Sequence, residues 1–138
     1  MKSIQSIRAA VLLGLLLTSS WTFAVSPGYA VDETGIYKVD AAGKRERIYR
    51  SNKGESLMDS TFSVSPNKNW ALVDFVPSNP GKGRVEEIRV LVSLSNGARL
   101  DQQKFQTKYG AWLDESAEWA DDKPATIVLG SGKNVQVK

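Results

Sequence analysis

Short runs of strand-forming residues recur along this chain, their apolar positions separated by stretches of polar turn residues. Gly35 to Val39 and Arg45 to Arg50 flank Asp40-Ala41-Ala42-Gly43-Lys44, which predicts a hairpin because glycine supplies a positive φ where a turn needs one. Thr61 to Val64 predicts another strand, and Ser65-Pro66-Asn67-Lys68-Asn69 a tight turn, since proline fixes φ and asparagine tolerates the left-handed region. Trp70 to Val76 follows as a strongly apolar strand. The next connection, Pro77 to Arg84, holds two prolines and two glycines and is predicted to stay out of the sheet. Glu86 to Leu94 reads as a strand, Ser95-Asn96-Gly97 as a turn, and Ala98 to Phe105 as the returning strand. Trp119 has the pattern of a strand residue before the turn Asp121-Asp122-Lys123-Pro124, and Ala125 to Leu129 is an apolar strand. Gly130-Ser131-Gly132-Lys133 then turns into Asn134 to Val137. No stretch holds a 3.6-residue period for three turns, so the pattern predicts an all-β chain.

The first residues follow a different rule. Lys2 and Arg8 give a positive start, Ala9 to Leu17 an apolar run, and Thr22-Phe23-Ala24 a small-residue cleavage site, the pattern of a signal peptide over residues 1–24. Gly28-Tyr29-Ala30 offers a second cleavage site, after Ala30. The apolar run falls short of the roughly 20 residues that a membrane helix requires, so no stable membrane insertion is expected once the signal is cleaved. The short basic segment favours a bacterial signal and a periplasmic destination. Residues 25–138 are long enough for one domain with its own core.

Within that domain the pattern is echoed at a spacing of 54 to 55 residues. Ile36 to Gly43 returns as Val90 to Gly97, Met58-Asp59 as Leu113-Asp114, and Lys68 with Ala71-Leu72-Val73 as Lys123 with Thr126-Ile127-Val128. The expected units run over about 36–89 and 90–138.

Charge changes the picture little. Without Lys2 and Arg8 the chain keeps 16 basic against 15 acidic side chains, so its basic precursor gives no reason to expect nucleic acid as a partner. The charges are unevenly placed, however: Lys38, Lys44, Arg45, Arg47, Arg50 and Lys53 lie in the first unit, and Asp114, Glu115, Glu118, Asp121 and Asp122 near the end. Such asymmetry either steers a charged partner or marks solvated faces and turns.

The chain has no histidine and no cysteine. Ser-His-Asp triads, cysteine nucleophiles, disulfides and metal sites built on imidazole or thiolate are therefore closed to it. Calcium would be the metal for an oxygen-only site, but residues 114 to 122 lack the spacing of a calcium loop, and no metal or cofactor is expected. Asp114 with Glu115 and Asp121 with Asp122 are adjacent pairs that a strand sends to opposite faces, which argues against an enzyme acting through paired carboxylates. Gly130-Ser131-Gly132-Lys133 lacks the spacing and the following helix of a phosphate loop. Trp70, Trp112 and Trp119 are expected to fill the core or cover a sheet face; the other reading exposes Trp112 and Trp119 beside the acidic residues as an interface patch.

Phe62-Ser63-Val64-Ser65-Pro66-Asn67-Lys68-Asn69-Trp70-Ala71-Leu72-Val73 resembles the strand, Ser-Pro-Asp-Gly-Lys turn, strand unit of β-propeller repeats of the TolB and WD40-like kind, with a weaker copy around Trp119 to Lys123. The resemblance implies blade-like units, and about two fit in the domain, so a closed propeller is not expected. The expected architecture is an open antiparallel sheet or a small sandwich of two blade-like units.

The order Phe62 to Phe75, loop, Arg89 to Ser95, then Asp101 onward to Trp112 is similar to immunity proteins of the type VI secretion peptidoglycan-amidase effectors. That similarity implies a periplasmic inhibitor whose loop, here Pro77 to Arg84, plugs the cleft of a secreted cell-wall amidase or another periplasmic toxin. Ser78 and Asn79 would reach the active site, and Lys82, Arg84 and Trp112 complete the expected partner-binding residues. The sequence departs from the family in its longer, proline-rich loop and its lack of cysteine. The alternative is an envelope assembly or scaffold protein that pairs through a sheet edge, and a homodimer joining the open sheets is compatible with the same pattern.

Overall fold

The computed structural model describes residues 28–77 and 87–138. Residues 1–24, expected to be a signal peptide, and the loop residues Ser78, Asn79, Lys82 and Arg84 lie outside the described residues. The strands are β1 Tyr29–Asp32, β2 Gly35–Val39, β3 Arg45–Arg50, β4 Glu55–Val64, β5 Trp70–Pro77, β6 Ile88–Ser93, β7 Arg99–Leu100, β8 Glu118–Trp119, β9 Thr126–Val128 and β10 Asn134–Gln136. One helix, α1 Gln102–Tyr109, lies between β7 and β8. Among the described residues all pairings are antiparallel and fall into three open sheets, ordered β1-β2-β3, β4-β5-β6-β7 and β10-β9-β8. The chain is thus all-β with open sheets, as the succession of short apolar runs and turns predicts. The expected unit boundary at residues 89 and 90 falls inside β6.

The four-stranded sheet is the middle layer. Ala71, Val73 and Phe75 of β5 and Val90 and Val92 of β6 join Tyr29, Val31, Ile36 and Tyr49 in one core, against the first sheet. Leu72 and Leu91, pointing the other way, join Phe105, Leu113, Ile127, Leu129, Val135 and Val137 in a second core, against α1 and the third sheet. Burial on both faces explains why β5 reads as a continuous apolar run rather than an alternating one. The exception is Asp74, 1% exposed on the second face. Its register partner across the ladder is Arg89, which reaches Asp74 Oδ1 at 2.7 Å and donates from Nη1 to the Ala117 carbonyl just ahead of β8. A buried carboxylate is tolerable only with such a partner. The layers are further tied by Trp119 Nε1 donating to the Ser63 carbonyl at 3.1 Å, and by the Asn67 amide donating to Pro124 O at 2.9 Å, where two turns meet.

Three expectations need correction. The returning strand over Ala98 to Phe105 shrinks to Arg99–Leu100, and the chain turns into α1 instead. Asp101 caps the helix, its side chain accepting from the Lys104 amide at 2.9 Å, and Gly110 ends it in the left-handed conformation, its N–H donating to Gln106 O. Both cap residues are visible in the sequence. An eight-residue helix with one buried side chain, Phe105, cannot display a three-turn period. Second, Thr61 to Val64 is only the end of a ten-residue strand, β4, whose register shifts between Met58 and Ser63. There the Thr61 hydroxyl bridges, donating to Met58 O at 2.7 Å and accepting from the Asp74 amide at 2.8 Å. Third, Lys68 and not asparagine takes the positive φ in the Ser65 to Asn69 turn, at 63°.

Phe105 carries the contact between α1 and the second core, so Phe105→Ala is expected to cost about 3–5 kcal/mol. Exposed Thr107→Ala should stay within about 0.5 kcal/mol. Urea denaturation of the two variants tests this, and equal midpoints would contradict the role given to Phe105.

Candidate functional site

Direct pairing in β2 and β3 runs Val39 with Arg45, Lys38 with Glu46 and Tyr37 with Arg47, then jumps to Ile36 with Tyr49 and Gly35 with Arg50. Ile48 is the extra residue of a β-bulge. Ile36 and Tyr49 face the first core, so their neighbours along the strands face outward. Without the bulge, Arg47 and Arg50 would point to opposite sides. With it, Arg45, Arg47 and Arg50 all stand on the outer face of the first sheet, across from Val39, Tyr37 and Gly35. All three arginines are exposed, and none has an acidic partner among the described residues. Arg45 lies over the Tyr37 ring at 5.7 Å from its centroid.

Two glycines hold the bulge. A β-carbon on Gly35 would stand 2.3 Å from the Tyr49 carbonyl oxygen and 3.2 Å from Arg47 Cδ. One on Gly97, in the turn between β6 and β7, would stand 2.1 Å from the Ile48 carbonyl oxygen, and Gly97 also has a φ of +72°. The turn therefore sits directly on the bulge, and a groove of about 430 Å³ opens beside the contact. Its lining includes Ile48, Arg50, Asn52, Arg99, Asp101 and Lys104. Arg50 belongs both to this groove and to the arginine face.

Behind the groove lies a polar cluster that is almost closed to solvent. Arg99 Nη1 donates to Tyr49 Oη at 2.9 Å and to Glu55 Oε1, and the guanidinium carbon lies 4.3 Å from the centre of the Phe75 ring. Glu55 Oε1 also accepts from the Asn52 amide at 2.8 Å. Burial pushes the Tyr49 hydroxyl pKa up against the opposing effect of Arg99. For Arg99, burial acts downward, and Tyr49 and Glu55 outweigh it, so the guanidinium is held firmly charged.

Trp112, 51% exposed, is the large apolar side chain left to solvent among the described residues, two positions beyond the Gly110 cap. Trp70 and Trp119 pack against the second core instead, so the three tryptophans divide between the two readings of the sequence. The acidic stretch divides too. Asp114 is occupied in holding the Gly130 amide, at 3.0 Å, and the Ser116 amide, at 2.9 Å. Glu115, Glu118, Asp121 and Asp122 are exposed, and no group of three or more metal-ligating residues occurs among the described residues. The basic residues are evident in the sequence but their shared face is not, because nothing in the run Arg45 to Arg50 marks Ile48 as a bulge. The signal available is Gly35 on the facing strand, paired with Arg50 and set against the Tyr49 carbonyl.

Comparison with family models, with curated proteins and with solved structures gave no match to this chain.

Gly97→Ala is expected to destabilise by about 1–3 kcal/mol through its backbone conformation alone, with the approach to Ile48 adding to the loss; the urea midpoint measures it, and an unchanged midpoint would contradict the clamp. The turn before the arginine face gives a second prediction. Burial works to raise the pKa of Asp32, but hydrogen bonds from the Thr34 hydroxyl and from the Thr34 and Gly35 amides hold it below the ordinary carboxyl value. That stabilisation is complete above the unfolded pKa, near about 4, and is lost as pH falls through the lower folded value. Asp32→Asn should therefore flatten the acid limb of a stability-against-pH curve, while an identical limb would show that Asp32 contributes nothing there.

Proposed function

We propose that this chain is a secreted periplasmic protein-binding module, of the inhibitor or immunity kind, that recognises an acidic surface on its partner. The observation that carries the reading is the gathering of Arg45, Arg47 and Arg50 on one solvent-facing side of β3, unpaired among the described residues. Arginine presents paired N–H donors in a planar fork that matches a carboxylate. Trp112, the sequence-derived contact candidate within the described residues, is exposed beyond α1 and not on β3. The sequence-derived contact residues Ser78, Asn79, Lys82 and Arg84 lie outside the described residues, so the reading rests on the arginine face.

The likeness to propeller repeats is supported by short antiparallel sheets packed face to face, with the turns after β4 and β8 in contact. The alternative, partner strand addition at a sheet edge, is opposed at β3 by its row of charges, a common device for keeping an edge unpaired. Cleavage after Ala24 is supported over Ala30, because Tyr29 and Ala30 are buried in β1 and paired with Lys38 and Tyr37.

Two measurements test these statements. N-terminal sequencing of the exported protein is expected to begin at Val25, and a start at Val31 would reject the cleavage assignment. Arg45→Glu with Arg47→Glu should weaken binding to a periplasmic protein partner captured by the mature chain by about a hundredfold, since like charges placed in an interface cost several kcal/mol, with no change in the urea midpoint. Unchanged affinity would reject the arginine face as the recognition surface.

A further inference from the structure

We infer that the groove beside the β3 bulge is a carboxylate-binding site that receives an acidic side chain of a partner polypeptide. The inference deepens the proposed function and rests on it. Arg99 is the fixed element: Nη1 is held by Glu55 and Tyr49, and Phe75 supports the plane of the guanidinium from below. Its Nε and Nη2 make no hydrogen bond among the described residues, although Arg99 lines the groove. Arg50 and Lys104 are exposed at the rim with no ion-pair partner among the described residues. Lys104 is held near by its own backbone amide, which caps onto Asp101 at 2.9 Å. One positioned arginine and two rim cations are the donor set that a carboxylate accepts from, and Arg50 can offer two parallel N–H groups.

The same residues select against other anions. Asp101 lines the groove and Glu55 stands behind Arg99, so the local charge is three cations against two carboxylates. That balance suits single carboxylates spaced along a peptide better than the dense phosphates of a nucleic acid. The two rings nearby offer no platform for stacked bases, because Tyr49 is buried and Phe75 is covered by Arg99. Ile48, half-buried in the lining, supplies an apolar wall for the aliphatic part of a glutamate or for its neighbour. The arginine face continues from Arg50 to Arg47 and Arg45, so the field draws an acidic segment toward the groove along β3.

The test is an NMR titration of the isotopically labelled mature chain with an oligoglutamate peptide, and in parallel with oligoglutamine, inorganic phosphate and phosphatidylglycerol vesicles. Oligoglutamate is expected to shift the amides of Asn52, Gly97 and Lys104, with the effect lost at about 1 M salt, where the Debye length is about 3 Å. Arg50→Gln with Lys104→Gln should weaken the peptide by about tenfold and leave the urea midpoint unchanged, since both side chains are exposed. Arg45→Gln with Arg47→Gln should weaken it by about twofold. Shifts confined to other residues, indifference to the Arg50 and Lys104 changes, or equal shifts from phosphate or vesicles would overturn the inference. Failure here, with partner binding still broken by Arg45→Glu and Arg47→Glu, rejects the groove alone. Loss of the partner effect, with the titration intact, rejects the functional reading and leaves a carboxylate site.

Discussion

Side chains of β5 and β6 are buried on both faces of the middle sheet, and the remaining layers are arranged around that fact. Ala71, Val73, Val90 and Val92 require a cover on one side, and Leu72 and Leu91 on the other. Three short strands cannot supply both covers, so the chain spends its first strands on one face and its helix and last strands on the other. The same constraint decides the fate of Asp74. A carboxylate in the middle of a two-sided sheet has no route to water, and Arg89 on the adjacent strand neutralises it while reaching across to the Ala117 carbonyl. Loss of either charge would strand the other in a dry layer, at a cost of about 3–5 kcal/mol.

The candidate site grows from an irregularity and not from the regular ladder. One extra residue, Ile48, rotates the end of β3 by half a pleat, and this rotation turns Tyr49 inward and Arg50 outward. Tyr49 can then meet Arg99, and Arg50 can join Arg45 and Arg47. The groove, the buried cluster and the charged face thus share one origin, and the absence of a side chain at Gly35 and Gly97 is what lets neighbouring backbone close on it.

Much of the architecture was legible in the sequence for reasons that remain visible in the structure. Hairpin turns at Asp40 to Lys44 and at Ser65 to Asn69 carry side-chain caps, Asp40 Oδ1 accepting from Ala42 and Lys44 and Asn67 Oδ1 from Asn69, which is the chemistry that turn composition records. The apolar run of β5 reported its burial directly. What stayed hidden depends on distant partners. β1 has only Tyr29 to Asp32, too short for a period, and is a strand because β2 pairs with it. Helix α1 is set by two caps and one buried ring. The bulge needs a glycine on the facing strand, and the arginine face follows from the bulge, so neither could be read from β3 alone. The loop from Pro77 to Arg84 stands out in the sequence by its proline and glycine content, a property of composition that carries no geometry.

The division of the core has a consequence for the order in which the molecule can become stable. The first core is complete once Leu94 has been added, because all of its members lie between Tyr29 and Leu94. The second waits for Val135 and Val137, close to the last residue of the chain. A chain delivered from its N-terminus therefore completes the cover of Val73 and Val92 before that of Leu72 and Leu91, whose cover is added piecewise from Phe105 to Val137. The two faces of one sheet are thus finished by different parts of the chain, and the face that carries Asp74 is the later of the two to close.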